Sequence, residues 1–477
     1  MRFGEAVREL LRSGPGRAGV ALLALLFVGS LYVLAAYPLD FGTRVWSNPA
    51  VWADNPKAVP PAWTNLLRSE PQVEHRVLEL RKPVQVARAM AGEIRLYRFR
   101  LDYPFRQPPT SLSLALAGIS YQSRPPLITM SVVRPDGKEM PLYRHVVRAP
   151  RPGESPPIRR YHETPLRVQL STDPVVASAV RDFLRAQYGV EATDAEVMDQ
   201  LDHAIFGVPE RGDRLRFRPL TGTYEFRVRA MVADEANEVG LVRIVVGGAV
   251  FGLMGTDAVG RDLAQGLLFG LPVALFIGLA ASTLSTGIGA SLGITSGYLG
   301  GRTDLIIQRL ADIVANVPVL PLLIFMVFVL GSHLFLIILI LVAFSWPGLT
   351  ILVRSMVLQM RSQQLVEAIR SLGASHWRIM FRHIFPQTAP YVFAQMIFFA
   401  PSAILAEAAL SFLGLGDPSI PTWGQILEHG FRTGGVYVGY WWWIVPPGLL
   451  IVLTAVTFML IALGMEPVMD PRLRKTL

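Results

Sequence analysis

The 477-residue sequence contains no cysteine. That excludes a disulfide scaffold, cysteine-ligated zinc or iron–sulfur centres, and cysteine nucleophiles. Charge is scarce too, at 17% of residues, where ordinary soluble domains carry about 25%. Hydrophobic residues make up 51% and mean hydropathy is +0.39, so the chain is neither disordered nor collagen-like. No Walker-type G-x-x-x-x-G-K-[ST] occurs, so ATP hydrolysis is not expected on this chain. Within residues 40–250 neither H-E-x-x-H nor G-x-S-x-G occurs, and His145, His162 and His203 are scattered there without ligand spacing. No catalytic, cofactor-binding or metal site is therefore expected. The charge that is present leans positive, 45 basic against 36 acidic residues, net +9, with nearly all of the basic ones arginine. Beside such an apolar excess, that balance reads as charged membrane loops rather than a nucleic-acid surface.

A transmembrane helix needs about 20 apolar residues. Residues 18–39 are uncharged between Arg17 and Asp40 and form the first predicted span. It is read as retained, because its apolar run outlasts the roughly 7–15 residues of a signal-peptide core. Residues 263–301 are uncharged but too long for one helix, which predicts one span plus loops. Residues 313–353, interrupted at Gly331, Ser332 and His333, predict a helical hairpin, and residues 392–412 and 443–463 complete six spans. With the N-terminus (1–17) inside, the inner segments hold Arg2, Arg8, Arg12, Arg17, Arg302, Arg309, Arg354, Arg361, Arg370, Arg378, Arg382, Arg472, Arg474 and Lys475. The short outer segments hold only Arg261 and Arg432, so both termini are predicted to be cytoplasmic. Tyr440, Trp441, Trp442 and Trp443 suit an aromatic belt at the outer mouth of the last span.

On this topology residues 40–250 are extracytoplasmic and residues 251–477 form the membrane core. The insert opens on a linker rich in Pro and Trp, then shows strand patterns. Residues 97–103 and 223–231 alternate apolar with charged side chains, which predicts strands with one buried face. Further strands are predicted at 127–133, 140–147 and 241–246, the first two joined by a turn at Pro135-Asp136-Gly137. Asp173 and Pro174 start a helix that Gly189 ends, and Thr193 to Glu196 forms a capping box for a second helix running to Gly207. The insert is thus predicted to be a mainly-β sandwich with two short helices, a cap, docking surface or lid rather than an enzyme.

The most informative stretch is QQLVEAIRSLGASHWRIMFRHIFPQTAPYV, beginning at Gln363. Its first half is helical by pattern, and Gly373 offers the left-handed turn that lets a helix stop. Ser375 then sits where an N-cap belongs. The next helix is predicted to turn Trp377, Ile379, Met380 and Ile384 inward and to leave Arg378 and Arg382 wet. Pro386 is expected to break that helix and start the next span. Two short angled helices of this kind form a rigid knob, residues 363–386.

This segment resembles the EAA loop of ABC importer permeases at Glu367, Ala368, Gly373, Ala374, Ile384 and Pro386, and departs from it at Ile369 and Phe385. Gly255, Thr256, Asp257, Gly260, Arg261 and Asp262 resemble the GTDxxGRD box of the "C"-type dipeptide/oligopeptide/nickel permeases. Residues 403–416 are similar to that family's fifth-span signature, and Asp470-Pro471-Arg472-Leu473-Arg474 to its C-terminal ending. The resemblance does not cover the large insert. It implies a polytopic α-helical membrane protein of the type I ABC importer permease fold, with six transmembrane helices, located in the inner or plasma membrane. It further implies a permease subunit importing peptides or similar small solutes, with substrate open among dipeptide, oligopeptide, nickel and other solutes. The implied partners are a second, "B"-type permease, two cytoplasmic ATPase subunits carrying ATP and Mg, an extracytoplasmic substrate-binding protein and the bilayer, with no nucleic acid. The alternative is a membrane-anchored receptor whose functional part is the β domain.

Three physical readings accompany the resemblance. Asp257, Arg261 and Asp262 are suited to an ion-pair clasp at the outer membrane edge. Glu407 lies within the fifth span, where an ionised group costs at least about 2.5 kcal/mol, so a partner or a wet cavity is expected. Gly287, Gly289, Ala290, Gly293 and Gly297 let helices approach closely.

Overall fold

Ser13 parts the first two helices, α1 (Phe3–Arg12) and α2 (Gly14–Ala36), in the computed structural model, which describes residues 3–469 apart from 90, 91, 211, 213 and 214. The Ser13 hydroxyl accepts from the Gly16 amide at 3.0 Å and donates to the Leu10 carbonyl at 2.9 Å. This cap starts the helix at Gly14 rather than at 18 and takes Arg17 into its first turns. After α3 (Pro49–Trp52) the chain passes into a separate unit, Trp52–Asp262, and residues 1–51 with 263–477 form the other. The β-rich unit therefore begins and ends later than 40 and 250. The ending at 470–474, with Arg2, Arg472, Arg474 and Lys475, lies outside the described residues.

The β-rich unit runs β1 (Arg76–Leu80), β2 (Gln85–Ala89), β3 (Gly92–Tyr103), β4 (Ser111–Tyr121), β5 (Leu127–Val133), β6 (Glu139–Val146), β7 (Ile158–Arg160) and β8 (Leu166–Gln169). Helices α4 (Pro174–Tyr188), α5 (Asp194–Asp199) and α6 (Leu201–Phe206) follow, then β9 (Gly207–Pro209), β10 (Phe217–Pro219), β11 (Gly222–Val232) and β12 (Glu238–Gly247). One antiparallel sheet has the order β1-β12-β4, with β7 and β8 both pairing with β4, and the other has the order β2-β3-β11-β5-β6. Phe226 stands opposite both Phe99 and Val132. That register puts Tyr97, Phe99, Tyr224 and Phe226 into one core with Leu112, Leu114 and Leu116 of β4 and Val242, Ile244 and Val246 of β12. The two sheets thus share a core as a sandwich, and α4 adds Val176, Val180 and Leu184 to it.

Helices α4 and α5 of this unit are capped by their own flanking residues. Asp173 accepts from the Val175 amide at 2.8 Å, Gly189 has φ +65°, and Thr193 and Glu196 form both bonds of a capping box. The helix expected from 193 to 207 is nevertheless two helices, α5 and α6, parted at Gln200 with φ −127°. Each buries its own apolar side chains, Val197 on one and Leu201, Ala204 and Ile205 on the other, and the kink lets both reach the core.

In the other unit α7 (Leu263–Leu299) is a single helix of 37 residues, not a span plus loops. Pro272 removes only one hydrogen bond near its start and does not end it. At 1.5 Å per residue it is roughly 55 Å long, well beyond a hydrocarbon core of about 30 Å. Helices α8 (Gly301–Ala315) and α9 (Val319–Leu330) meet at a 78° bend. Gly331, at φ +86°, ends α9 where the hairpin break was expected. Then come α10 (Leu334–Ser345), α11 (Pro347–Arg361), α12 (Gln364–Ser371), α13 (His376–Ile379), a π-helical turn Met380–Ile384, α14 (Phe385–Phe412), α15 (Trp423–Arg432), α16 (Gly435–Val438) and α17 (Trp441–Met469). Among the described residues five helical stretches are long and apolar enough to cross a membrane: Gly14–Ala36, Leu263–Leu299, Leu334–Arg361, His376–Phe412 and Trp441–Met465. A sixth arises only if the bent pair α8 and α9 counts as one span. Of the aromatic cluster at the start of α17, Trp442 and Trp443 are buried rather than set out as a belt.

Candidate functional site

The knob at 363–386 is built as an elbow. Helix α12 ends at Ser371 with Leu372 as its C-cap, Gly373 takes φ +81°, and Ser375 caps α13 by accepting from the Arg378 amide at 3.4 Å. Val366, Ile379, Met380 and Ile384 are buried against Ile294 and Tyr298 of α7 and Val353 and Val357 of α11. The elbow is therefore seated on two long helices. Its outer side differs from expectation at one residue: Trp377 does not face inward but is 67% exposed, stacked on exposed Phe381 with ring centroids 5.3 Å apart. Leu372, beside the bend, is 86% exposed. Glu367, Ala368, Arg378 and Arg382 are exposed as well, while Ala374 is half-buried. The elbow presents an apolar ridge edged with charge.

Pro386 does not break the helix. The preceding π-helical turn lets the Phe385 amide bond to the Met380 carbonyl, so the chain is already in a wide register when it reaches a residue without an N–H. His376 to Phe412 is consequently one continuous helical stretch.

The box at 255–262 lies in the β-rich unit. Asp257 is fully buried; its Oδ1 accepts from the amides of Val259 and Arg261 at 2.9 Å each, and its Oδ2 accepts from the Arg261 guanidinium. Thr256 exchanges hydrogen bonds with Val59, its amide donating to the carbonyl at 2.9 Å and its hydroxyl accepting from the amide at 3.2 Å. Gly260 has φ +95°, and its carbonyl accepts from the Asn55 side chain at 2.9 Å. The structure thus joins Asp257 to Arg261, whereas Asp262 enters as the backbone partner of Thr256. These bonds fasten 255–262 to the incoming segment at 55–59.

Glu407 is 4% exposed and accepts from the Ser411 hydroxyl at 2.6 Å. Ser411 in turn accepts from Thr422, the N-cap of α15, at 3.3 Å. Gly424 lets α15 come this close, because a Cβ there would lie 2.6 Å from the Ala408 carbonyl. The acid therefore has the partner that its depth requires, supplied by its own helix and tied onward to the next.

Two features escaped sequence reasoning. Arg354, counted among loop arginines, makes a two-pronged ion pair with Asp304, Nε at 2.5 Å and Nη2 at 2.6 Å, and Ser296 donates to the same carboxylate at 2.5 Å. The pair joins α7, α8 and α11 just beyond Gly293 and Gly297, where an added Cβ would meet the Thr350 and Arg354 carbonyls at 2.7 and 2.8 Å. Gly287 has no such neighbour. It lies with Thr283, Ser291 and Thr295 along an open groove of about 350 Å³ that Trp377 and Phe381 also line.

A family model described as "Binding-protein-dependent transport system inner membrane component" matches residues 289–475. Over 222 residues the chain is 37% identical to the oligopeptide transport system permease protein OppC of Bacillus subtilis (strain 168), a match covering 46% of this chain and 72% of that protein. The chain belongs to this permease family, in its C-type branch. The permease is also 34% identical over 222 residues to the dipeptide transport system permease protein DppC of the same organism, covering 46% of this chain and 69% of the relative. It is 33% identical over 225 residues to the glutathione transport system permease protein GsiD of Pectobacterium atrosepticum, covering 46% and 73%. Its apolar helices fit a multi-pass inner-membrane protein. The family match takes in the elbow, Glu407 and the Asp304–Arg354 pair, and leaves the β-rich unit and its box outside.

Proposed function

We propose that this permease is one of two membrane subunits of an ATP-driven importer for peptides or similar small solutes, and that its elbow, with Glu367, Ala368, Gly373, Ala374, Ile384 and Pro386, receives the movement of cytoplasmic ATPase subunits. The observation that carries the reading is the two-sided elbow. Its inner side is packed on α7 and α11, and its outer side leaves Leu372, Trp377 and Phe381 uncovered. A ridge of that size is an expected protein contact, and a rigid seat passes a push from the ridge into the helices beneath. A second permease, a substrate-binding protein and ATP with Mg on the ATPase subunits complete the assembly on this reading, in keeping with the peptide and glutathione systems named for its relatives.

The length of α7 supports the topology of this reading. The β-rich unit joins its start at Leu263, and the elbow is fixed to its far end at Tyr298, about 50 Å away along the axis. On this reading a spanning α7 separates them across the bilayer, and the arginine-rich inner segments support the β-rich unit outside and the elbow and both termini in the cytoplasm. Six spans result when α8 and α9 are counted together. The open polar face of α7, with Thr283, Ser291 and Thr295, supports half of a solute pathway that a second permease would close. Glu407, tied to Ser411, serves helix packing, and the box at 255–262 fastens the chain where it re-enters the bilayer.

The absence of native cysteine makes the test direct. A single cysteine placed at Leu372 or Trp377 is expected to crosslink to an ATPase subunit that co-purifies in mild detergent. Labelling of the same cysteine from outside intact cells by an impermeant thiol reagent would overturn the assignment.

A further inference from the structure

The β-rich unit holds a pocket of about 500 Å³ where the chain leaves β6 and returns as β7. Its walls are Arg148, Arg151, Glu154, Arg159, Arg160 and Tyr161. The size is that of small-molecule sites, roughly 300–1,000 Å³, but the lining is unusually rich in one charge.

The loop that forms it is held at both ends. Val147 and Ile158 are buried in the sandwich core, and the Val147 amide donates to the Pro126 carbonyl at 3.0 Å. The Tyr121 hydroxyl donates to the Arg148 carbonyl at 2.6 Å, and Arg160 donates to the Ala149 carbonyl at 3.0 Å. Glu154 is occupied within the loop: Arg160 reaches its two oxygens at 3.1 and 2.5 Å, and the Arg151 amide donates to it at 2.8 Å. The Arg160 and Arg151 bonds hold the Glu154 carboxyl down at about 2, so it stays an anion and balances Arg160. Tyr161 has φ +59°, a costly conformation for an aromatic residue. It is kept there by the Gly118 amide on its carbonyl at 2.9 Å and by His145 Nε2, 3.0 Å from its hydroxyl.

The charge balance is what remains open. Among the described residues Arg148, Arg151 and Arg159 have no carboxylate within ion-pair distance, although all three line the same concavity. Three like charges around one pocket repel one another, and an entering anion reverses the sign of that interaction. Guanidinium forks bind carboxylate and phosphate oxygens in pairs, with more specificity than a point charge gives. We propose that this pocket binds a small solute through an oxyanion, a carboxylate or a phosphate, held by Arg148, Arg151 and Arg159. The pocket is concave and preformed, which favours a small solute over the surface of a protein. This inference stands apart from the transport reading.

The test is calorimetric titration of the full chain in a neutral detergent and chloride buffer at low salt, with inorganic phosphate and separately with succinate. Saturable binding of either probe, weakened at least tenfold in Arg148→Gln/Arg159→Gln and unchanged in Arg100→Gln on the exposed sheet face, supports the site. The probe that binds tells phosphate from carboxylate chemistry. Should the double variant lose its unfolding transition, the single Arg151→Gln on the exposed loop replaces it, with several-fold weakening expected. No saturable heat with either probe, or an isotherm that the arginine variants leave unchanged, overturns the proposal.

Discussion

His376 Nδ1 lies 3.2 Å from the hydroxyl of Tyr298, joining the first residue of α13 to the last turn of α7. The two rings meet edge to face with centroids 5.7 Å apart. Tyr298→Phe keeps the ring and its packing and removes only the hydrogen bond. A net loss of about 1 kcal/mol at this tie corresponds to roughly a fivefold shift in a two-state equilibrium. The expected outcome is uptake per ATP hydrolysed reduced several-fold at an unchanged level of protein in the membrane. Proteoliposomes of the assembled transporter would measure both quantities. An unchanged ratio removes this tie from the coupling route.

Gly373 sets the bend of the elbow with φ +81°. Proline, fixed near −65°, cannot adopt that angle and also lacks the N–H that donates to the Arg370 carbonyl at 3.0 Å. Gly373→Pro is expected to lower uptake at least tenfold while the subunit still assembles. Gly373→Asn, a residue that tolerates the left-handed region, is expected to stay within about twofold. Glu367→Lys, on the exposed side of α12, is expected to uncouple uptake from hydrolysis without altering the bend. If the Pro and Asn variants behave alike, the left-handed bend is not what the elbow needs.

What was legible beforehand was local. Asp173, Thr193, Glu196 and Ser375 act as caps because a cap depends on neighbours within three residues. Alternation at 97–103 and 223–231 located two paired strands, since period two is visible when polar residues mark the solvent face. Strand β4 went unread. The positions that alternate with its core leucines are Ser and Ala, too small and neutral to mark a second face, and it lies inside its sheet. An uncharged run carries no mark of where a helix ends, so the continuity of α7 over 37 residues is not legible in its sequence. Trp377 was turned inward by helical period alone, whereas the widened turn at 380–384 rotates the face that α7 and α11 cover. Asp304 and Arg354 stand far apart in sequence and meet only because the α7 glycines bring α11 close.

That ion pair invites a double-mutant cycle. The geometry is bidentate and both side chains are mostly shielded, so the pair exceeds an ordinary surface bridge. The losses in Asp304→Asn and Arg354→Gln are expected to sum to more than the loss in the double variant. The coupling energy expected from thermal unfolding in detergent is about 1.5–3 kcal/mol. A coupling below about 0.5 kcal/mol would show that solvent or lipid headgroups replace the contact at no cost.

The Asp257 box yields a prediction in the β-rich unit. Its carboxylate takes two backbone amides and the Arg261 guanidinium while fully buried. Asp257→Ala removes the shared acceptor of these three hydrogen bonds, at about 0.5–1.5 kcal/mol for each. Protease cleavage within 252–262 of the full chain is expected to accelerate at least tenfold, with the sandwich core still resistant. Equal cleavage rates would make the clasp ornamental.

Two half-buried groups in the β-rich unit, His75 and Asp202, oppose one another in pH dependence. Desolvation, only partly offset by the charge of Asp54, lowers His75 from its ordinary 6.5 to about 4, and both of its ring nitrogens are buried without partners. Between about 4 and 6.5 the unfolded chain therefore binds a proton that the folded one does not, and stability rises with pH. Desolvation, partly offset by the Ser171 hydrogen bond, raises Asp202 from its ordinary 3.8 to about 6. Between 3.8 and about 6 the folded state holds the extra proton, so this group's contribution is lost as pH rises. Each swing is up to about 3 kcal/mol, and over pH 4 to 6 they largely cancel. His75→Leu is thus expected to make the unit lose stability as pH rises from 4 to 6, and Asp202→Asn to make it lose stability as pH falls through the same range. Denaturant unfolding of the full chain, followed by a fluorophore on a cysteine introduced at exposed Arg88, would read both slopes. Parallel slopes in the two variants would mean that these groups do not govern the acid response of the sandwich.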